Sequence, residues 1–150
     1  MGEQVAAAIG AEIREHGPIA FSRFMEIALY GPAGYYQRPP VGTDGDFVTS
    51  PHVHPVFATM VARALRGFHH ALGEPAPFRI TEVGAGDGTL ARNVIGELAG
   101  IDVDYTAVEA SAGARAALDA IDGVCVLTEL GGGAHVVLAN ELLDNLPFDR

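Results

Sequence analysis

The chain has 150 residues, 49% of them hydrophobic and 19% charged, a balance that excludes disorder and fits one globular domain or part of one. All nine basic residues are arginine and the net charge is −10, which excludes the phosphate-neutralising basic face that a nucleic-acid binder requires. An acidic surface suits a small molecule or a cationic partner such as a protein arginine.

Residues 3–16 are predicted as a helix, with Val5, Ala8, Ile9 and Ile13 as an apolar stripe and Gly17-Pro18 as the stop. Phe21 to Leu29 reads as a second helix, ended by Gly31-Pro32. A polar, Gly/Pro-rich stretch follows, from about Gly31 to Pro55. A loop of this length in a compact domain is functional or a linker, and Tyr35, Tyr36 and Phe47 point to an ordered lid. Tyr35 and Tyr36 read as packing residues. Residues 55–72 are predicted as a helix, with Val56, Met60, Ala64 and Phe68 at helical spacing, and Gly73 to Pro77 break it.

From residue 78 strands alternate with helices. Phe78 to Val83 is a strand, Gly84 to Gly88 a turn and Thr89 to Leu98 a helix. Val103 to Val108 is a strand, and Ser111 caps a helix that runs to Ala120. Val124 to Leu127 and His135 to Ala139 complete the set, the last a buried type of strand. This alternation predicts an α/β, Rossmann-like, parallel doubly wound sheet. The expected division is a helical N-terminal segment with a lid loop over 1–75 and a partial ligand-binding Rossmann-like domain over 76–150.

Cys125, the single cysteine, stands in an apolar run and is expected to be a small core residue, with no disulfide framework. No charged-then-apolar leader begins the chain, and Glu3, Glu12 and Glu15 speak against a mitochondrial transit peptide. Ala6 stands where a myristoylation signal needs Ser or Thr. No apolar run reaches the roughly 18 residues of a membrane span. The expectation is therefore a cytoplasmic protein with no membrane partner. His52 with His54, and His69 with His70, lack acids at ligand spacing, so no metal site is expected.

The chemistry concentrates in Glu82-Val83-Gly84-Ala85-Gly86-Asp87-Gly88-Thr89-Leu90, where a strand meets three alternate glycines and then a helix. Glycine allows positive φ and lets a ligand touch the backbone, and amides at a helix start favour carboxylate or phosphate. Dinucleotide folds use G-x-G-x-x-G. Here the third glycine comes one residue early, at Gly88, and Thr89 stands where that pattern has glycine. This disfavours a nicotinamide-dependent oxidoreductase. The shorter spacing, with an acid two residues before the first glycine, resembles motif I of class I methyltransferases. Glu109 closes the second strand, 21 residues after Gly88, where a carboxylate can accept hydrogen bonds from both ribose hydroxyls.

The wider sequence resembles the MidA-like family of class I S-adenosylmethionine-dependent methyltransferases, which includes a protein arginine methyltransferase. The resemblance rests on Ile19 to Tyr30, Gly34-Tyr35-Tyr36, Gly45-Asp46-Phe47-Val48-Thr49-Ser50-Pro51, the glycine loop, and Ala139-Asn140-Glu141-Leu142-Leu143-Asp144-Asn145-Leu146-Pro147. These segments fall in order over residues 18–148. The resemblance implies methyl transfer from S-adenosyl-L-methionine to a protein arginine. A non-catalytic binding or assembly module with the same fold is the alternative. The family usually has Glu after Ser-Pro, where this chain has His52, so no role of that Glu is carried over.

The resemblance also implies a seven-stranded sheet whose fourth strand lies near the middle. A chain ending after that strand would expose an apolar edge, through which association is possible, and a truncated chain is expected. Candidate donor-binding residues are Glu82, Gly84, Gly86, Asp87, Gly88 and Glu109, with Glu129 near the adenine and Asp46 and Phe47 in the lid. Candidate catalytic residues are Asn140, Glu141 and Asp144, at the carboxyl end of the fourth strand, where carboxylates could orient a guanidinium bidentately.

Overall fold

The structure is a computed structural model and describes residues 2–37 and 49–149. Asp46 and Phe47, expected in the lid, lie outside these residues. Helices α1 (Gly2–His16) and α2 (Phe21–Met25) come first, and α2 widens into a π-helical turn over Glu26–Tyr30. After a 3₁₀ turn at Tyr35–Gln37 come α3 (Ser50–Val53) and α4 (Val56–Ala71). Then β1 (Phe78–Val83), α5 (Thr89–Glu97), β2 (Val103–Val108), α6 (Ala112–Leu118), β3 (Val124–Leu127) and β4 (Val136–Leu138) alternate. A 3₁₀ turn at Leu143–Asn145 follows.

The four strands form one parallel sheet in the order β3-β2-β1-β4. This is the predicted Rossmann-like arrangement. The reversal of strand order falls between β1 and β4, where open α/β sheets bind ligands beyond the strands' carboxyl ends. The core lies between the sheet and the helices. Phe78 and Ile80 of β1 and Tyr105 of β2 meet Leu90, Ala91 and Val94 of α5 and Ala58, Ala62 and Leu65 of α4. A second cluster joins Ala85, Ala107, Leu118 and Ile121. Ser111 caps α6 as expected, accepting from the Ala114 amide.

Four expectations need correction. Phe21 to Leu29 is not one regular helix. The Gly31 amide donates to the Glu26 carbonyl at 3.0 Å, five residues back, so the last turn is π-helical. The stretch from Gly31 to Pro55 is not all loop, since Thr49 ends in a short helix, α3, with Pro51 in its first turn. Along α4 the spacing marks the helix but not its buried face. Val56, Met60 and Phe68 are exposed, while Ala58, Ala62 and Leu65 are buried. The apolar arc of the helix is wider than the face that is buried, with Thr59, Arg63 and Arg66 on its polar side, and the face carrying alanines can approach α5 most closely. Cys125 is exposed. It alternates with Val124 and Val126, which pack on the second core cluster, so the period of two along β3 turns Cys125 outward.

Candidate active site

The carboxyl ends of the strands open into one cavity of about 600 Å³, within the range of small-molecule sites. Its walls come from Glu26 and Tyr30, Thr49, Pro51 and His52, Glu82 to Asp87, Val108 to Ser111, Thr128, and Asn140 to Leu142 with Asp144 to Leu146. Each loop that follows a strand contributes. Six carboxylates line the cavity, namely Glu26, Glu82, Asp87, Glu109, Glu141 and Asp144, and among the described residues His52 is the one ionisable base. Such a lining selects a cation.

Glu82 closes β1 on its core face and is 3% exposed. The Tyr105 hydroxyl donates to its Oε2 at 2.7 Å. Burial pushes its carboxyl up to about 7 against that hydrogen bond, and the charges of Asp87 and Glu109 add to the rise. The acid is therefore poised to change charge near neutrality. A bound ammonium would favour its ionised form.

The glycine loop divides its work. Gly84 and Gly86 line the cavity, whereas Gly88 does not. At Gly86 an added Cβ would meet nothing within 4 Å, so open space lies above the backbone where a ligand could touch it. At Gly88 φ is +77°, and a Cβ would collide with Ile121 and come within 2.8 Å of Leu118. The early third glycine lets α6 and the turn after it pack beneath the loop.

Asp87 joins the loop to its neighbours. Its Oδ1 accepts from the Thr89 amide at 3.0 Å, and its Oδ2 lies 2.9 Å from the His52 Nε2. Burial raises its carboxyl, but the hydrogen bonds from His52 and Thr89 outweigh burial and hold it below the usual aspartate range. Glu109 accepts from the Gly86 amide at 2.9 Å and from the Ser111 amide at 2.8 Å, tying the end of β2 to the glycine loop. It keeps lone pairs for a diol.

On the opposite wall, Asn140, Glu141 and Asp144 all line the cavity. Glu141 has φ of +52°, a conformation that non-glycine residues rarely adopt and that concentrates at functional sites. The Asn145 side-chain amide donates to the Glu141 carbonyl at 3.0 Å and holds this turn. Tyr30 and Tyr36, stacked at 5.5 Å, form an aromatic part of the wall. The Tyr30 hydroxyl donates to the Asn145 carbonyl at 2.8 Å. Burial pushes the Tyr36 phenol up to about 12, aided by Tyr30, Tyr35, Asp144 and Glu109, so it stays a neutral donor.

Of the candidates in the described residues, the cavity gathers all but two. Gly88 lies beneath the loop, and Glu129 is exposed outside the wall while its neighbour Thr128 lines it. Sequence reasoning missed Glu26, Tyr30, Thr49 and His52 as lining residues and took Tyr36 for packing alone. Tyr30 had one signal, its position at a helix end before Gly31-Pro32. The residues present fit a ligand with an ammonium, a sulfonium and a ribose diol. Glu82 offers a buried acid to the first, Glu109 has lone pairs that a diol could use, and the open backbone at Gly86 leaves room for close approach.

Fold and cavity together define a Rossmann-like domain with a small-molecule cavity at the sheet's reversal point. Residues 60–150 match the family described as "Putative S-adenosyl-L-methionine-dependent methyltransferase", and the chain belongs to it. The chain is similar to a mitochondrial protein arginine methyltransferase NDUFAF7 homolog of Drosophila melanogaster, 40% identical over 93 residues, covering 61% of this chain and 21% of the relative. The human mitochondrial NDUFAF7 protein arginine methyltransferase is 34% identical over 86 residues, 56% of this chain and 20% of that protein. A crystal structure of a COG1565 superfamily member from Burkholderia thailandensis, bound to S-adenosyl-homocysteine, aligns with a TM-score of 0.84 at 37% identity. That alignment covers 97% of this chain and 42% of the other. The chain thus spans about a fifth of the length of the curated relatives it matches. These relatives are mitochondrial, which overturns the expectation of a cytoplasmic protein. Glu3, Glu12 and Glu15 lie on α1, so they report a folded helix and carry no address.

Proposed function

We propose that this chain forms the donor side of an S-adenosyl-L-methionine-dependent methyltransferase acting on a protein arginine. One observation carries this reading: the glycine loop and six carboxylates, Glu109 among them, surround one cavity at the sheet's reversal point. A solved relative at TM-score 0.84 holds S-adenosyl-homocysteine, and two relatives are named protein arginine methyltransferases. In this reading residues 76–150 supply the donor-binding sheet and residues 1–75 the helical wall and lid.

S-adenosylmethionine, when bound, supplies a methyl group on a sulfonium, a leaving group already activated for in-line displacement. The chain's residues bind and orient. Glu82, ionised, holds the donor's ammonium. Gly84 and Gly86 let the donor lie on the backbone, and Asp87 keeps the loop in shape. Glu109 accepts from the ribose hydroxyls. Glu141 and Asp144 grip the cationic guanidinium bidentately, and Asn140 orients it. The guanidinium nitrogen loses a proton on methylation, and a carboxylate of this wall receives it.

Isothermal calorimetry with S-adenosylmethionine tests the reading. The parent chain should bind the donor, and Glu109→Ala should weaken binding by about tenfold or more, as expected for charge-assisted hydrogen bonds. Transfer of a labelled methyl group to an arginine peptide, lost in Glu141→Gln, tests the acceptor side. A folded chain that binds no donor refutes the assignment.

A further inference from the structure

His52 is the one residue of the cavity wall whose ring touches both the segment before α4 and the glycine loop. Its side chain is 9% exposed. Nε2 lies 2.9 Å from Asp87 Oδ2, across 35 residues of sequence, and Nδ1 lies 3.0 Å from Thr49 Oγ1. A carboxylate only accepts, so Nε2 carries the hydrogen and donates. In the neutral ring Nδ1 then accepts from the Thr49 hydroxyl. Asp87 uses its other oxygen on the Thr89 amide at the start of α5. The same helix, α3, also touches the opposite wall: Ser50 Oγ stands 3.5 Å from Glu141 Oε1. The short helix therefore spans the cavity from the glycine loop to the Asn140-Glu141 turn. Its buried Pro51 and its packing on α4 and α5 seat it.

We propose that His52 is a positioning residue of the donor site, tying α3 to the glycine loop through Asp87 so that loop and cavity wall are held as one unit. The ring acts at two points. It fixes the Asp87 carboxylate whose other oxygen shapes the loop, and it sets an N–H donor among the carboxylates of the wall. Without it Asp87 keeps its charge in a half-buried position with one partner fewer, and α3 loses its link to the loop. The inference rests on the donor-site reading above.

The test is a double-mutant cycle on donor affinity, read by calorimetry with S-adenosylhomocysteine on the full chain. His52→Ala should weaken binding by about tenfold. Asp87→Ala should weaken it at least as much, and the double variant should be no weaker than Asp87→Ala, because both changes break one link. His52→Gln, whose amide can donate to Asp87, should return affinity to within about threefold of the parent. Independent, multiplying losses for His52→Ala and Asp87→Ala would overturn the inference, as would a Gln variant as weak as Ala. A second measurement needs no variant. Long-range 1H–15N spectra of the parent should show the His52 ring protonated at Nε2, with solvent exchange of that proton slowed by S-adenosylhomocysteine. Exchange unchanged by ligand counts against the link. A parent chain that binds no donor overturns the donor reading and this inference together, whereas donor binding untouched by His52→Ala overturns this inference alone.

Discussion

Glu82 shows what a single buried acid contributes. In the folded chain its carboxyl titrates near 7 against an ordinary 4.5 because burial disfavours its charge. Folding therefore favours the protonated form. The associated stability is complete below about pH 4.5 and falls as pH rises toward 7, by about 3 kcal/mol in total. Urea melts of the parent should show this loss between pH 5 and 7, and Glu82→Gln should remove the slope. The same substitution leaves no anion for an ammonium, so donor affinity at pH 8 should drop by about tenfold. In the parent, donor binding at pH 6 should release protons, measurable by calorimetry in buffers of different ionisation enthalpy. A binding enthalpy independent of buffer would mean that Glu82 does not meet the ammonium.

Among elements, the glycine loop and α4 carry the sharpest contrasts. Gly88→Ala forces a side chain at positive φ against Leu118 and Ile121. It should cost about 1–3 kcal/mol, seen as a lower melting midpoint. Gly86→Ala meets no neighbour, so its smaller cost comes from φ alone, and its main effect should be on donor affinity. On α4, Leu65→Ala should cost about 3 kcal/mol, since the residue is 1% exposed in the core. Met60→Ala, on the exposed face, should change the midpoint by about 0.5 kcal/mol or less. The strands were the most legible part of the sequence. β1, β2 and β3 begin and end where their apolar runs do. A run such as Val103 to Val108 signals strand wherever it sits, because its period needs no partner. The buried face of α4 was hidden, since Val56, Met60 and Phe68 repeat as regularly as Ala58, Ala62 and Leu65, and only the packing of α5 chooses between them. In the site, Glu82, Gly84, Gly86, Asp87 and Glu109 were legible because one loop chemistry demands them in sequence. His52 and Tyr30 were not, because their roles depend on partners 35 or more residues away.

The chain is an anion, with net charge −10 and six of its 19 acidic side chains lining one cavity. Long-range attraction should speed the approach of an arginine-rich peptide. Stopped-flow association rates are expected to fall about tenfold between roughly 20 and 200 mM salt, while donor binding, governed by contacts inside the cavity, should change far less. A peptide rate indifferent to salt would show that the surface charge plays no part in recruiting substrate. The wall of that cavity draws on residues from Glu26 to Leu146. During synthesis the first helices are finished long before the turn that carries Glu141 exists. No early folding intermediate can thus be rescued by the small molecule. Occupancy of the site reports that the N-terminal helices, the glycine loop and β4 have all found one another, which makes ligand binding a clock for the assembly of these parts.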